Sequence, residues 1–354
     1  MALLSSPPAS LCLLRLSAIG DCCHAIALVQ AIQRQWPETK ITWITGKIEA
    51  KLLELVPNVE IIVFDKSAGM SAYRTLWRQL KGRKFDVLLH MQAALRASIA
   101  SLGIRAKHKL GFDRQRAKDG QWLFTNYKVS ATAEHVADGF MAFGQALGLT
   151  QAKPEWSLTV PDAARQWASS YTHIQPLLLI CPAASKAYKN WTAEGYAALA
   201  DYANSKGMQV MLIGSPAEQE KKLAADIAAL TPHITENLVG KTSLPQLLAL
   251  IDKARLVVAP DTGPTHMATL MGTPVLGLYA HHNPARTGPY YCRDYAVNVY
   301  DEALLAETGK TAKQLPWRTR VKDANAMQRI TLDQVTVQFD RMITDFNLLQ
   351  DPNS

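Results

Sequence analysis

The chain has 354 residues, of which 48% are hydrophobic and 19% are charged. This balance is typical of a folded globular protein and excludes a disordered or membrane-spanning chain. The length exceeds that of one ordinary domain and predicts two. The formal net charge of +8 favours anionic partners, although a modest basic excess can also serve solubility alone.

Short apolar runs alternate with amphipathic stretches, which predicts an α/β fold with parallel sheets and crossover helices. In the first half they predict strands at 11–16, 41–46, 60–65 and 85–92, with helices at 25–36 and 73–81. In the second half they predict strands at 177–182, 209–214, 256–261 and 275–280, with helices at 193–206, 217–230 and 244–254.

The segment 157–176 has turn residues at both ends and no long apolar run, so we place the domain boundary near 160–172. We predict two Rossmann-like domains, at 1–165 and 166–330, whose strand ends face each other across a cleft. The segment 331–354 opens with a capping box and carries one apolar side, which predicts a C-terminal helix.

The five cysteines show no disulfide-framework spacing, which fits a reducing cytoplasm. The first 16 residues lack a basic start, and Arg15 interrupts their apolar run, so we expect no signal peptide. No stretch reaches the roughly 18 uninterrupted apolar residues of a membrane span, so any membrane contact should be peripheral. The phosphate-binding patterns G-x-G-x-x-G after the first strand and G-x-x-x-x-G-K-[ST] do not occur, which weighs against a dinucleotide oxidoreductase or a P-loop enzyme.

The stretch "RLSAIGDCCHAI" (15–26) sets Asp21, Cys22, Cys23 and His24 side by side where a helix begins. Consecutive helical residues point about 100° apart, so these four cannot converge on one ion, and we expect no metal there. The cysteines are interpreted as packing residues rather than reactive thiols. For Asp21, a helix cap and a general base both remain open.

The same turn has features of an anion site. Gly20 would let the backbone approach a ligand, and Arg15 and His24 flank the turn. The alternative for His24 is a structural histidine.

The stretch "APDTGPTHMATLMGTP" (259–274) predicts a strand that ends at Asp261 and a helix that runs through His266. Amides near Thr262 and Gly263, at the positive end of the helix, would hold a diphosphate; a plain capped helix is the alternative. Asp261 would repel phosphate, so we expect it to cap the helix, orient a lysine or accept sugar hydroxyls.

The loop "CPAASKAYKNW" (181–191) carries Lys186 and Lys189, which could neutralise a leaving diphosphate or simply be solvated. The segment 103–120 and its upstream neighbour Arg96 form a basic cluster, which is either a solvated face or a binding surface for a multiply anionic acceptor. The adjacent His281 and His282 are not expected to be metal ligands.

The order of "RLSAIGDCCHAI", "KNW", "DTGPTHMATLMGTP" and "PARTGPY" resembles the family 9 glycosyltransferases, the ADP-heptose:lipopolysaccharide heptosyltransferases. The similarity runs from about Leu11 to Phe346. It implies a GT-B fold, whose last helix crosses back to the first domain. It also implies inverting transfer of heptose from ADP-L-glycero-β-D-manno-heptose to the lipopolysaccharide inner core. The N-terminal stretch resembles the branch that acts on Kdo or phosphorylated Kdo of lipid A.

The resemblance assigns Asp21 as general base and Lys189 as a contact to donor phosphate. The remaining implied donor-site residues are Ser185, Glu218, Thr242, Asp261, Thr262, Gly263 and His266. The candidates for acceptor binding are Arg15, Ser17, Gly20, His24, Arg96, Arg105, Lys107, Arg114 and Arg116. No metal or other cofactor is expected, because lysine and amides would stabilise the leaving diphosphate. Where relatives often have "GPTDP", this chain has "AHHNP" at 280–284.

We therefore expect a cytoplasmic enzyme in peripheral contact with the anionic inner-membrane surface, with no nucleic-acid partner. Within the same fold, another nucleotide sugar or another acceptor is the alternative, including the activity of heptosyltransferase II. From a different class, the alternative is a non-catalytic polyanion-binding protein. That alternative predicts salt-sensitive binding to heparin or nucleic acid and no release of ADP.

Overall fold

The computed structural model describes residues 2–130, 134–171 and 175–350. The chain forms two compact units, Met1–Leu158 and Thr159–Ser354, each built around its own parallel sheet. The predicted boundary at 165/166 lies inside a helix, Asp162–Ser169, that belongs to the second unit. The predicted α/β fold class is confirmed.

The first unit contains a six-stranded parallel sheet in the order β3-β2-β1-β4-β5-β6. Its strands are β1 Ser10–Leu14, β2 Lys40–Thr45, β3 Val59–Val63, β4 Phe85–His90, β5 Ala106–Phe112 and β6 Tyr127–Val129. Its helices are α1 Ile19–Gln35, α2 Lys47–Leu53, α3 Met70–Gln79, α4 Leu95–Ser101 and α5 Val136–Leu147.

Strand β1 pairs with β2 on one side and with β4 on the other. Its side chains from Leu11 to Leu14 have no exposed surface, as expected for a strand that is covered on both faces. The loop from β1 to α1 therefore begins at the middle of the sheet's carboxyl edge, where open α/β sheets bind ligands.

The second unit contains another six-stranded parallel sheet, in the order β12-β11-β10-β7-β8-β9. Its strands are β7 Leu177–Ile180, β8 Gln209–Leu212, β9 Ile234–Asn237, β10 Leu256–Pro260, β11 Val275–Tyr279 and β12 Val297–Asn298. Its helices are α6 Asp162–Ser169, α7 Ala193–Ser205, α8 Glu218–Leu230, α9 Leu244–Lys253, α10 Gly263–Met271, α11 Pro284–Thr287, α12 Tyr300–Thr308 and α13 Leu332–Asp345.

Helix α13 begins with the predicted capping box. The Thr331 hydroxyl accepts the backbone N–H of Gln334 at 3.3 Å, and the Gln334 side chain accepts that of Thr331 at 3.1 Å. Phe339 and Met342 lie on its apolar side and are buried in the core of the second unit. The predicted crossing of this helix to the first domain, and the predicted cleft, stay predictions. Residues 351–354 of the predicted C-terminal segment lie outside the described residues.

Helices in the described part of the chain are too short or too polar to cross a membrane.

Candidate active site

Asp21 lies at the third position of α1, close to the carboxyl end of β1. The helix is capped at Ala18, whose backbone N–H donates to Asp21 Oδ2 at 3.4 Å. Asp21 is therefore not the N-cap, although its carboxylate supports the first turn of the helix. Its side chain remains 32% exposed and forms an ion pair with Arg15.

Arg15 makes several contacts around this turn besides its ion pair with Asp21. Its guanidinium also donates to the backbone oxygen of Met91 at 2.5 Å and lies over the ring of Phe140, 5.3 Å from the centroid. The Arg15 side chain is only 12% exposed. The structure thus pairs Arg15 with Asp21, and the predicted binding of an anionic ligand by Arg15 stays a prediction.

Gln92, which sequence reasoning missed, connects the turn to the end of β4. Its Oε1 accepts the backbone N–H of Leu16 at 2.6 Å, and its Nε2 donates to Ser17 Oγ at 3.2 Å. A neutral amide carries no charge signal in a sequence. Only its position after a strand at the centre of the sheet could have pointed to it.

A cavity of about 470 Å³ opens beside this turn. Leu16, Ser17, Gln92 and the predicted Arg96 line it, together with residues that follow β2 and β3, including Lys47, Glu49, Asp65 and Lys66. Lys47 and Lys66 had not been predicted, although both follow recognisable strands. Burial is the main cause that raises the pKa of Glu49. The cavity thus combines three basic side chains with two carboxyl groups.

The predicted basic cluster is divided between the two edges of the sheet. Arg96 follows β4 and Arg114 follows β5, both at the carboxyl edge. Arg105 precedes β5 and Lys107 is its second residue, so both lie at the amino edge. At about 3.3 Å per residue, β5 separates the two groups by roughly 20 Å. The structure does not bring Arg105 and Lys107 to Asp21.

Arg114 and Arg116 differ in exposure. Arg114 is exposed and lies over the Trp122 ring, 5.7 Å from its centroid. Arg116 is 7% exposed, and burial lowers the pKa of its guanidinium. Arg116 also lies close to Gly139 of α5, where an added Cβ would meet Nη1 at 2.7 Å. The predicted acceptor roles of Arg114 and Arg116 stay predictions.

His24 and the two cysteines face the interior of the first unit. His24 is 2% exposed and packs edge-on against His135, with ring centroids 5.2 Å apart. Cys22 and Cys23 are buried, and burial raises the pKa of both thiols, which suits packing residues. Gly20 is also buried, at the second position of α1. The predicted acceptor roles of His24 and Gly20 stay predictions.

In the second unit, Lys189 and Asp261 form a nearly buried ion pair. Lys189 Nζ donates to Asp261 Oδ2 at 2.9 Å and to the Asp261 backbone oxygen at 2.6 Å. Each side chain is 12% exposed. Lys189 comes from the loop after β7, and Asp261 follows β10, the neighbouring strand. The structure thus pairs Asp261 with a lysine, while its expected role at the donor stays a prediction.

Two histidines complete this cluster. His282 Nδ1 hydrogen-bonds to Asp261 Oδ2, and His266 Nε2 lies 3.6 Å from Asp261 Oδ1. Burial by itself would raise the pKa of Asp261, but His266, His282 and the charge of Lys189 together hold it well below its usual value. Asp261 is therefore an ionised acceptor at neutral pH. His282 was not predicted, because the sequence pattern raised the adjacent histidines only as metal ligands.

The "KNW" stretch fixes the loop that carries Lys189. Asn190 Oδ1 accepts the backbone N–H of Ala184 at 2.8 Å. The indole N–H of Trp191, which is 4% exposed, donates to the backbone oxygen of Ile330 at 2.9 Å. Since Asn190 closes the loop and Trp191 anchors it in the core, Lys189 is positioned by both neighbours.

The start of α10 offers backbone amides at the same edge. Thr262 is the N-cap, but its side chain forms no capping hydrogen bond, and Gly263 and Pro264 follow. Asp261 therefore does not cap the helix. An uncapped helix N-terminus suits an anionic ligand, since its first amides point away from the helix.

The remaining donor-site candidates follow β7, β8 and β9, at the same carboxyl edge. Ser185 is exposed, and Thr242 is partly buried just before α9. Glu218 is exposed and pairs with Lys221 at 3.0 Å. The buried carboxylate in the first turn of α8 is instead Glu220, which accepts the backbone N–H of Ser215 at 2.8 Å. Among residues 2–130, 134–171 and 175–350, no group of three His, Cys, Asp or Glu side chains is arranged to hold a metal ion.

Two α/β units, each built on a six-stranded parallel sheet, are the architecture of the GT-B fold, which solved heptosyltransferase structures share. The model of glycosyltransferase family 9 (heptosyltransferase) matches residues 73–318, and the chain belongs to this family. Family membership makes it a glycosyltransferase and sets aside the non-catalytic polyanion-binding alternative.

Relatives and solved structures agree with this assignment. The chain is 46% identical to the lipopolysaccharide core heptosyltransferase OpsX of Haemophilus influenzae, across 97% of this chain and 99% of that protein. It superimposes on a family 9 glycosyl transferase from Veillonella parvula with a TM-score of 0.77 at 21% identity, covering 95% and 97% of the two chains. For the E. coli heptosyltransferase WaaC with ADP-2-deoxy-2-fluoro heptose, the TM-score is 0.70 at 18% identity, covering 94% and 99%. The two solved structures support the fold.

Proposed function

We propose that this protein transfers L-glycero-D-manno-heptose from ADP-heptose to Kdo, or phosphorylated Kdo, of lipid A during synthesis of the lipopolysaccharide inner core. Its 46% identity to a lipopolysaccharide core heptosyltransferase over nearly the whole chain supports the donor and the pathway. The observation that carries the chemistry is Asp21, a carboxylate held by Arg15 at the end of a central strand and still 32% exposed. These features suit a group that must touch substrate.

Asp21 is the general base of the proposed reaction. It takes the proton of an acceptor hydroxyl as that oxygen attacks the anomeric carbon and the bond from this carbon to the diphosphate oxygen breaks. A single displacement inverts the configuration at the anomeric carbon. Arg15 restricts the carboxylate to one orientation, since it binds both Asp21 and the backbone oxygen of Met91.

The donor site is at the carboxyl edge of the second sheet. Lys189 and the first amides of α10, at Thr262 and Gly263, stabilise the negative charge that develops on the leaving diphosphate. Asp261 orients Lys189 and offers a carboxylate oxygen to sugar hydroxyls. His266, Ser185, Glu218 and Thr242 are the further donor-site residues of this proposal. Under it, the reaction needs no metal ion, because Lys189 and the amides supply the positive charge.

In this proposal the acceptor occupies the cavity lined by Leu16 and Ser17 of the turn that leads to Asp21. Lys47, Lys66 and Arg96 give it basic side chains for the carboxylate and phosphate groups of Kdo and lipid A. Arg114 extends this charge along the same edge of the sheet. Because lipid A is a membrane lipid, we place the protein at the cytoplasmic face of the inner membrane, in peripheral contact with its anionic surface.

Replacement of Asp21 by Asn tests the proposal. Asp21→Asn should lower the rate of heptose transfer by about 10²–10⁴-fold, the usual contribution of a general base. ADP affinity should stay within about twofold, because Asp21 is not one of the donor-site residues. Glu60→Gln is the matched control, since Glu60 is also paired with an arginine, Arg83, but lies near the amino end of β3. Near-normal transfer by Asp21→Asn would remove Asp21 from the mechanism.

A further inference from the structure

His282 lies in the loop after β11, and its side chain is 11% exposed. Its Nδ1 contacts Asp261 Oδ2, the oxygen that also accepts a hydrogen bond from Lys189. An ionised carboxylate only accepts hydrogen bonds, so Nδ1 must carry the hydrogen of this contact. The tautomer is therefore fixed, and Nε2 is the nitrogen that can gain a proton.

Nε2 of His282 is buried and has no hydrogen-bond partner among the residues that the structure describes. A buried polar atom of this kind is normally satisfied by protein, water or ligand. It belongs to the cluster of Lys189 and Asp261, at the edge where α10 begins. A ligand that reaches Lys189 is therefore the natural partner for Nε2.

The charges around His282 determine its protonation. Asp261, at the start of α10, faces it directly, with His266 on the other carboxylate oxygen. Lys189 approaches from the loop after β7, and Arg320 contributes from the segment before α13. Burial is the largest cause that lowers the pKa of His282; Asp261 opposes this effect, and Lys189 and Arg320 reinforce it. Without a ligand, the ring is thus neutral at pH 7.

An ADP-linked donor would bring a diphosphate dianion beside this cluster. Its negative charge would favour the protonated form of the His282 ring. We propose that His282 binds the diphosphate of the donor through Nε2 as an imidazolium, taking up one proton from solvent as the ligand binds. The N–H bond forms at Nε2, and the proton returns to solvent when ADP leaves. The positive charge of the His282 imidazolium then neutralises the Asp261 carboxylate, while Lys189 turns toward the diphosphate. The inference rests on the proposed donor site and adds a binding residue to it.

Calorimetric titration of the full chain with ADP measures this proton directly. At about pH 7.5 the terminal phosphate of ADP, with a second pKa near 6, is already ionised and takes up little proton itself. Comparing the binding heat in buffers of different ionisation enthalpy gives the number of protons taken up. We expect about 0.5–1 proton per ADP for the unmodified chain and a value near zero for His282→Gln. His282→Gln should also bind ADP about tenfold more weakly, through loss of one charge-assisted hydrogen bond.

The matched control is His233→Gln. His233 also pairs with an aspartate of the second unit, Asp201, at 2.8 Å, but its side chain is 41% exposed. This variant should retain the proton uptake and the ADP affinity of the unmodified chain. Circular dichroism and the thermal midpoint show whether each variant is folded.

A measurement without variants keeps the test independent of folding. Between about pH 7.5 and 8.5, the Kd of the unmodified chain for ADP should rise toward tenfold per pH unit. ADP binding without buffer-dependent heat, or uptake that persists in His282→Gln, would overturn the role of His282 and leave the donor site standing. A failure of the unmodified chain to bind ADP would remove both the donor site and this inference.

Discussion

Replacing Lys189 with Met tests the buried cluster that holds the proposed donor site. The change removes the ammonium group 2.9 Å from Asp261 Oδ2 and leaves a carboxylate whose side chain is 12% exposed. Loss of one partner from a buried ion pair typically destabilises a protein by 3–5 kcal/mol. Asp261 retains His266 and His282, so we expect a loss of about 2–3 kcal/mol at pH 8, where His282 is neutral.

The loss of unfolding free energy in Lys189→Met should become smaller as the pH falls. Lys189 is one of the groups that lower the pKa of His282, and Asp261 raises it. In Lys189→Met the folded-state pKa of His282 therefore rises. In the unmodified chain the folded pKa of His282 is lowered, so the protein loses stability as the pH falls through the unfolded value of about 6.5 toward the folded pKa; the variant, with its higher folded pKa, loses less. We expect the deficit at pH 6 to be about 1 kcal/mol smaller than at pH 8.

Urea unfolding followed by tryptophan fluorescence measures this effect, because Trp191, two residues after Lys189, is buried. Lys222→Met is the matched control, since Lys222 pairs with Asp226 at 2.8 Å but is 76% exposed. The control should lose at most about 0.5 kcal/mol at either pH. A loss in Lys189→Met no larger than in the control, or one that does not change with pH, would refute the role assigned to the cluster.

Two further predictions concern the first unit. Arg96→Ala should raise the acceptor KM about tenfold, because Arg96 lines the proposed acceptor cavity. Arg105→Ala should leave this KM unchanged, because β5 separates Arg105 from the carboxyl edge. If steady-state kinetics gave the same acceptor KM for both variants, the placement of the acceptor would be contradicted. In the folded protein, burial lowers the pKa of His90 to about 4, below the unfolded value of about 6.5. The neutral His90 ring therefore contributes stability above pH 6.5, and this contribution is lost as the pH falls toward 4. The free energy of unfolding should fall by about 3 kcal/mol over this pH range through His90. Unfolding titrations of His90→Gln should show a smaller fall, and an unchanged pH dependence in this variant would contradict the prediction.

The central strands could be predicted from the sequence because each is a continuous apolar run covered on both faces. Strands β5, β6, β9 and β12 could not. Strand β5, "AKHKLGF", carries Lys107, His108 and Lys109 in a row and was hidden in the predicted basic cluster. Strand β9, "ITEN", and strand β12, "VN", are too short and polar to give a pattern. These strands form only because a neighbouring strand supplies their hydrogen bonds.

The candidate site could be predicted where a charged residue follows a recognisable strand. Asp21, Lys189 and Asp261 all satisfy that condition, and the structure places each at a carboxyl edge. Arg105 was assigned to the acceptor site because it lies in the basic cluster. Since β5 was not recognised in the sequence, the residues before this strand could not be distinguished from those after it. His282 and the pairing of Arg15 with Asp21 depend on side chains that meet through the fold, which spacing along the chain does not reveal.

One measurement tests the proposed function most directly. The purified chain is incubated with ADP-heptose and Kdo-lipid A, with and without phosphate on the Kdo, and the lipid product is weighed by mass spectrometry. We predict a gain of one heptosyl residue, matched by an equal amount of released ADP, and loss of both in Asp21→Asn. Release of ADP without a heavier lipid, or no reaction with either acceptor, would contradict the proposal.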